Sequence, residues 1–124
     1  MAEKPVSAEE VAEVVRAHAR ISAVGGRTKP ALVGEGEELE LSGLTGITDY
    51  KSAEYTFTAR AGTLVREVEE ALEAKRQYLP FDPLFAESGA TLGGTVASGV
   101  CGPGRFRFGG LRDFLIGVQF VDGA

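Results

Sequence analysis

The 124 residues include one cysteine, one histidine, one methionine and no tryptophan. A lone Cys101 cannot close an internal disulfide and excludes metal sites of the Cys-x-x-Cys type. Nor can it hold a four-cysteine iron–sulfur cluster. His18 would have to serve any Ser-His-Asp or Cys-His chemistry. It lies at helical spacing from Val11, Val14 and Val15, on the edge of an apolar stripe, and reads as a helix side chain rather than a catalyst. No apolar run approaches the ~18 residues that a membrane helix needs. Basic charge is also scarce: the net charge is −5, which argues against nucleic acid as a partner, because phosphate binding needs clustered positive charge. Arg105, Arg107 and Arg112 fall within eight positions, a local patch that reads first as a solvated loop. The opening Met1–Glu10 is acidic and has no apolar core, so it is not a secretory signal, and a cytoplasmic location is expected.

What is present fits a globular domain. The chain is 44% hydrophobic and 25% charged, close to the average for such proteins, and its length suits one small domain or part of one. Ser7 and Glu10 form a capping-box pattern that opens a helix running to about Arg20. Ile21–Val24 reads as a strand entering a glycine turn. Leu39–Leu41 reads as a short strand closed by Ser42 and Gly43, and Ile47–Tyr50 as a further extended segment. Tyr55, Phe57, Ala59 and Ala61 alternate with polar residues, the clearest strand pattern in the chain. Thr63 is the expected N-cap of a helix whose face is Leu64, Val65, Val68, Ala71 and Leu72, ending near Lys75. Gln77–Pro83 reads as a turn with buried aromatics, and Phe114–Val121 as an apolar strand. Asp122-Gly123 is a hairpin-turn pair with no returning strand after it, the pattern of a truncated product or fragment.

Glycine is the outstanding excess. Residues 87–110 hold eight in 24, where an ordinary chain carries about 7%, and Gly25-Gly26 form a second cluster. Neither cluster matches a P-loop. Gly99, Gly102 and Gly104 reverse the Rossmann spacing, and Gly34-Glu-Gly36 has no third glycine. Glycine turns nonetheless let amide N–H groups converge on an anion and let backbone approach a ligand closely. Thr28, Thr91, Thr95 and Ser98 add hydroxyls beside them. The composition therefore favours a phosphate-bearing ligand.

Several motifs in order carry a more specific signal. They are Val24-Gly-Gly-Arg-Thr-Lys29 after a strand, Ala61-Gly-Thr-Leu-Val-Arg66 entering a helix, Ala90-Thr-Leu-Gly-Gly-Thr-Val-Ala97, and Gly102-Pro-Gly-Arg-Phe-Arg-Phe-Gly-Gly-Leu-Arg-Asp113 at the end. Together they resemble the FAD-binding domain of the p-cresol methylhydroxylase (PCMH) and vanillyl-alcohol oxidase superfamily. The branch most like them is the FAD-binding E subunit of glycolate oxidase.

The resemblance implies an α+β, PCMH-type FAD-binding fold over residues 4–124. Its first small subdomain would span about 4–50, and a second, incomplete one 51–124. It also implies a C-terminal cap domain that these residues do not contain. The first loop would wrap the diphosphate of FAD, with Gly25, Gly26, Arg27, Thr28 and Lys29. The second tract would follow the ribityl chain and isoalloxazine, with Pro83, Ala90, Thr91, Gly93, Gly94, Ala97, Ser98, Gly99 and Gly102. Arg112, Asp113 and Val118 would lie near adenine. Relatives with covalently held flavin often carry histidine after the first Gly-Gly. Arg27 stands there instead, and Cys101 follows the second motif rather than preceding it, so non-covalent FAD is expected.

Relatives of this kind take hydride from a small 2-hydroxy acid. Substrate-facing groups usually come from the part not contained here, so the resemblance names no catalytic residue and no metal, and it implies little turnover from this chain alone. Partner flavin and iron–sulfur subunits are implied, and an unpaired sheet edge would favour a homodimer. Two other readings remain. One is a domain like UDP-N-acetylenolpyruvoylglucosamine reductase, which the Arg112–Gly117 ending fits less well. The other is a half-domain without flavin that acts as an interaction module.

Overall fold

A computed structural model describes residues 3–123; Ala124, the last residue of the expected domain, lies outside the described residues. The first helix, α1 (Ala8–Ala17), starts where its cap places it. Ser7 Oγ accepts from the Glu10 amide at 3.2 Å. The reciprocal bond goes one residue further back than expected, from the Val6 amide to the Glu10 carboxylate at 2.8 Å. The helix stops three residues short of Arg20, because His18 leaves helical geometry and donates from Nδ1 to the Val14 carbonyl at 2.9 Å. That contact satisfies one of the carbonyls a helix end leaves open.

Strand β1 (Ile21–Val24) pairs in parallel with β2 (Glu37–Glu40), with Val24 opposite Glu40. Val24 and Leu39 are buried. The 12 residues joining these strands carry the first glycine cluster, so the loop leaves β1 at the sheet's end and must cross back. A second two-stranded sheet joins β3 (Ile47–Lys51) antiparallel to β4 (Thr56–Ala59). It takes in residues on both sides of position 50. Tyr55 was expected to begin the β4 alternation, but it takes a left-handed conformation (φ 58°) in the tight turn and is 83% exposed. Ala61 likewise falls beyond the strand.

The core forms where α2 (Val65–Glu73) packs under this hairpin. Val65 and Val68 are fully buried and Leu72 nearly so, joined by Leu79, Phe81, Ala90, Cys101 and Leu111. Spacing of three and then four residues puts the α2 side chains on one stripe, and burying each contributes about 1.5–3 kcal/mol. Phe81 is buried, whereas Tyr78 in the same turn is exposed and meets Phe108 edge-on.

Thr63 does not cap this helix. The first helical amide, Val65 N–H, donates to the Ala90 carbonyl at 2.9 Å, so backbone from the second glycine tract does the capping. Thr63 is instead fully buried, and its Oγ1 accepts from the Gly46 amide (3.0 Å) and donates to the Gly46 carbonyl (3.2 Å). Further bonds from Leu92 N–H to the Thr63 carbonyl and from Gly93 N–H to the Ala61 carbonyl hold residues 90–93 against 61–65.

The second tract is partly helical rather than a loose loop: α3 (Leu92–Ser98) and α4 (Arg105–Phe108) lie within it. The expected strand at 114–121 does not form. Among the described residues no strand pairs with it, and without a ladder its amides have no reason to extend. Ile116 is 85% exposed, and neither Asp122 nor Gly123 lies in a turn. The architecture is the expected α+β class. Among the described residues no helix is long and apolar enough to cross a membrane.

Candidate functional site

The carboxyl end of β1 and the face of α3 wall one cleft of about 320 Å³. Nine residues expected at a ligand line it: Gly25 to Lys29 on one side, and Thr91, Gly94, Ala97 and Ser98 on the other. Ala23, Val24, Leu32 and Val33 complete it with apolar surface. None of these four was among the expected ligand residues, although Val24 opens the first motif. Leu32 and Val33, an apolar pair just after Pro30, carry the signal in the sequence, and both are exposed.

Close approach is the reason for glycine at 25 and 26. A Cβ on Gly26 would stand 2.8 Å from the Gly89 carbonyl carbon and closer still to its oxygen; one on Gly25 would overlap Thr91 Oγ1. The two glycine tracts therefore touch backbone to backbone, and that contact forms the cleft. Arg27 turns the loop with a left-handed φ of 58°. Among the described residues, none accepts from the amide N–H groups of Gly26 to Lys29. Such free amides are what an anion-binding turn presents. On the opposite wall the Gly94 amide is already engaged, donating to Thr91 Oγ1 at 3.2 Å.

Charge in the loop is divided between two side chains. Arg27 is held by Glu38 of β2, with 3.2 Å from Nη1 to Oε1 and 2.8 Å from Nη2 to Oε2, and Glu40 Oε1 lies 3.6 Å away. This hydrogen bonding and charge hold the Glu38 carboxyl below its ordinary range and push the guanidinium up. Lys29 has no carboxylate partner among the described residues. Its ammonium lies 5.8 Å over the Phe85 ring, and partial burial lowers its pKa.

The remaining expected site residues fall outside this cleft. Ala90 is fully buried, with its carbonyl committed to α2. Gly93 packs on Ala61, and Gly99 ends α3 with a left-handed φ of 64°. Gly102 is buried against the Asp82 carboxylate, and its amide donates to the Asp82 carbonyl at 2.6 Å. Arg112 and Asp113 lie in a 3₁₀ turn, where Asp113 Oδ2 accepts from the Gly110 amide, and Val118 is 63% exposed.

Pro83 borders a second cleft of about 230 Å³ with Glu69, Glu73 and Asp82. Burial, and then the charges of Asp82 and Glu87, push the Glu69 carboxyl up. That cleft repels anions, whereas the first one suits them.

Comparison with known proteins identifies the family. A family model described as "FAD binding domain" matches residues 2–124. Glycolate oxidase subunit GlcE of Escherichia coli (strain K12) is 40% identical over 89 residues, 72% of this chain and 25% of that protein. A D-2-hydroxyglutarate dehydrogenase of Xanthomonas citri pv. viticola is 35% identical over 97% of this chain and 27% of its own length. A D-lactate dehydrogenase of Anaerostipes hadrus is 29% identical, over 93% and 26%. The chain thus spans about a quarter of the length of these relatives. Among solved structures, an alkyldihydroxyacetonephosphate synthase superposes with a TM-score of 0.72 at 22% identity, over 89% of this chain and 22% of that one. With the family match running over nearly its whole length, the chain belongs to the FAD-binding domain family of the p-cresol methylhydroxylase type.

Proposed function

We propose that this chain is the part of a flavin-dependent 2-hydroxy-acid oxidoreductase, of the glycolate oxidase kind, that holds FAD non-covalently in the cleft between Gly25–Lys29 and α3. One observation carries the reading: two distant glycine tracts meet where no Cβ fits, and they leave a lined cleft with free amides beside a lysine.

The residues fit the cofactor. Free amides and Lys29 suit a diphosphate. Gly94, which has only Thr91 Oγ1 near its missing Cβ, and Ala97 leave a bare wall for a flat ring. A volume of 320 Å³ stands at the low end of the ~300–1,000 Å³ usual for such sites, enough for one portion of a dinucleotide. Cys101 is buried with its thiol near the Gly99 carbonyl, and the cleft lining includes neither cysteine nor histidine. That favours non-covalent retention.

FAD, when bound, supplies the acceptor for a hydride from substrate. The chain's own share is to bind and orient. Its cleft lining includes no carboxylate and no imidazole, the usual general bases. The substrate class rests on the relatives' names, for glycolate, 2-hydroxyglutarate and lactate are all 2-hydroxy acids. The E. coli relative is named as a subunit, which supports assembly with partner subunits. On this reading residues 4–50 and 51–124 begin two subdomains, with the sheet pairing drawing β3 into the second.

Adding FAD to the purified chain tests the proposal. Quenched flavin fluorescence and yellow protein through gel filtration are expected, with no turnover of glycolate by the chain alone. Gly94→Leu should abolish retention; colourless wild-type protein, or retention in that variant, contradicts the site.

A further inference from the structure

The loop that faces the cleft carries two cations, Arg27 and Lys29, and the structure gives them different surroundings. Arg27 stands at a positive φ, which a residue with a side chain takes only at a cost. Its guanidinium makes a two-pronged pair with Glu38 and reaches Glu40. Glu40 in turn lies 3.8 Å from Lys4. Glu38 and Glu40 are alternate residues of β2, so they project to one face of the strand. Arginine's planar fork matches a carboxylate in this geometry, and lysine's point charge does not. The pair thus ties the turn residue to the strand beside it, and its charge is already balanced.

Lys29 is two residues on, partly desolvated, and pairs with no carboxylate among the described residues. A phosphate oxygen meeting that ammonium would form a charge-assisted bond, roughly twice as strong as a neutral one.

We propose that Arg27 is a positioning residue, clamped by Glu38 to hold the Gly25–Lys29 turn in shape, and that Lys29 supplies the loop's positive charge to the phosphate groups of the ligand. This deepens the FAD reading and rests on it. It divides roles that the loop's sequence leaves equal, and it makes Glu38, an acid beside an anion site, favourable to binding.

The test is FAD affinity, followed by flavin fluorescence, in Arg27→Ala, Glu38→Gln, their double variant and Lys29→Gln. With Arg27 as a clamp, Arg27→Ala and Glu38→Gln each weaken binding several-fold, and the double variant is no weaker than either. Lys29→Gln weakens it by ~10-fold or more and flattens its dependence on salt. Unchanged or tighter binding in Glu38→Gln overturns the proposal, since freeing a direct phosphate ligand from a competing carboxylate would strengthen the complex. Full affinity in Lys29→Gln overturns it as well.

Backbone order parameters from 15N NMR relaxation in the ligand-free chain separate this failure from failure of the FAD reading. Lower order parameters at residues 26–29 in Arg27→Ala and Glu38→Gln support the clamp even if wild type takes up no FAD. Unchanged order parameters there remove the clamp whatever FAD does.

Discussion

Replacing Gly26 by alanine adds one methyl group where two backbone segments touch. The new carbon would stand 2.8 Å from the Gly89 carbonyl carbon and closer to its oxygen, against the ~3.5–4.0 Å at which carbon atoms rest. Relief requires a shift of roughly 1 Å. Residues 89–90 are poorly placed to give it, because Ala90 N–H donates to the Phe85 carbonyl at 3.1 Å and the Ala90 carbonyl caps α2 through Val65. Overpacking costs ~1–3 kcal/mol, and losing the Ala90–Val65 bond adds ~1 kcal/mol. The sum, ~2–4 kcal/mol, is a large part of the ~5–15 kcal/mol that holds a domain folded.

Thermal unfolding followed by circular dichroism should show Tm lower by ~8–16 °C, taking ~4 °C per kcal/mol for a chain of this size. Gly34→Ala is the control. A Cβ there meets nothing within 4 Å and φ is not in the left-handed region, so the change should be neutral or stabilising by ~0.4–1 kcal/mol. Two results would refute the packing argument: Gly26→Ala melting within ~2 °C of wild type, or Gly34→Ala falling as far as Gly26→Ala.

Two further outcomes follow from the core and the second cleft. Thr63→Val keeps shape but strips both bonds to Gly46, leaving its half-buried amide unmatched. It should cost ~1–3 kcal/mol by urea unfolding, with Thr63→Ser retaining most of that; equal losses in both variants would refute the hydrogen-bond account. Glu69 has its folded pKa raised by burial and neighbouring acids, so its charged form is disfavoured in the folded state and its contribution to stability improves as pH falls through that value. Glu69→Gln should therefore raise Tm at pH 7, with the gain fading as pH approaches the ordinary carboxylate value of ~4.3; a gain that persists in acid would point elsewhere.

Features written in short stretches of sequence were legible. The Ser7 cap, β1, the α2 stripe and the two glycine tracts each follow from residues within a turn or strand of one another. Nine of the residues expected at the ligand line one cleft. What the sequence hid depends on distant partners. Thr63 looked like a cap because its neighbours are helical, yet the Ala90 carbonyl, 25 residues away from Val65, takes that role. Arg27 is legible as a loop residue, but its partner Glu38 lies 11 residues on, in a strand that the sequence does not show beside the loop. The run at 114–121 has strand composition, but composition cannot provide the neighbouring strand that would pair with it. Tyr55 fits the alternation and breaks it, since the hairpin needs a left-handed residue there.

The central claim is that FAD sits between the first glycine loop and α3. Amide chemical-shift mapping by NMR during an FAD titration tests this most directly. The account predicts saturable shifts at Gly26 to Lys29, Gly94, Ala97 and Ser98, with little change at Glu69, Glu73 and Asp82 around the acidic cleft. Shifts centred on that acidic cleft, or none anywhere at saturating FAD, would contradict it.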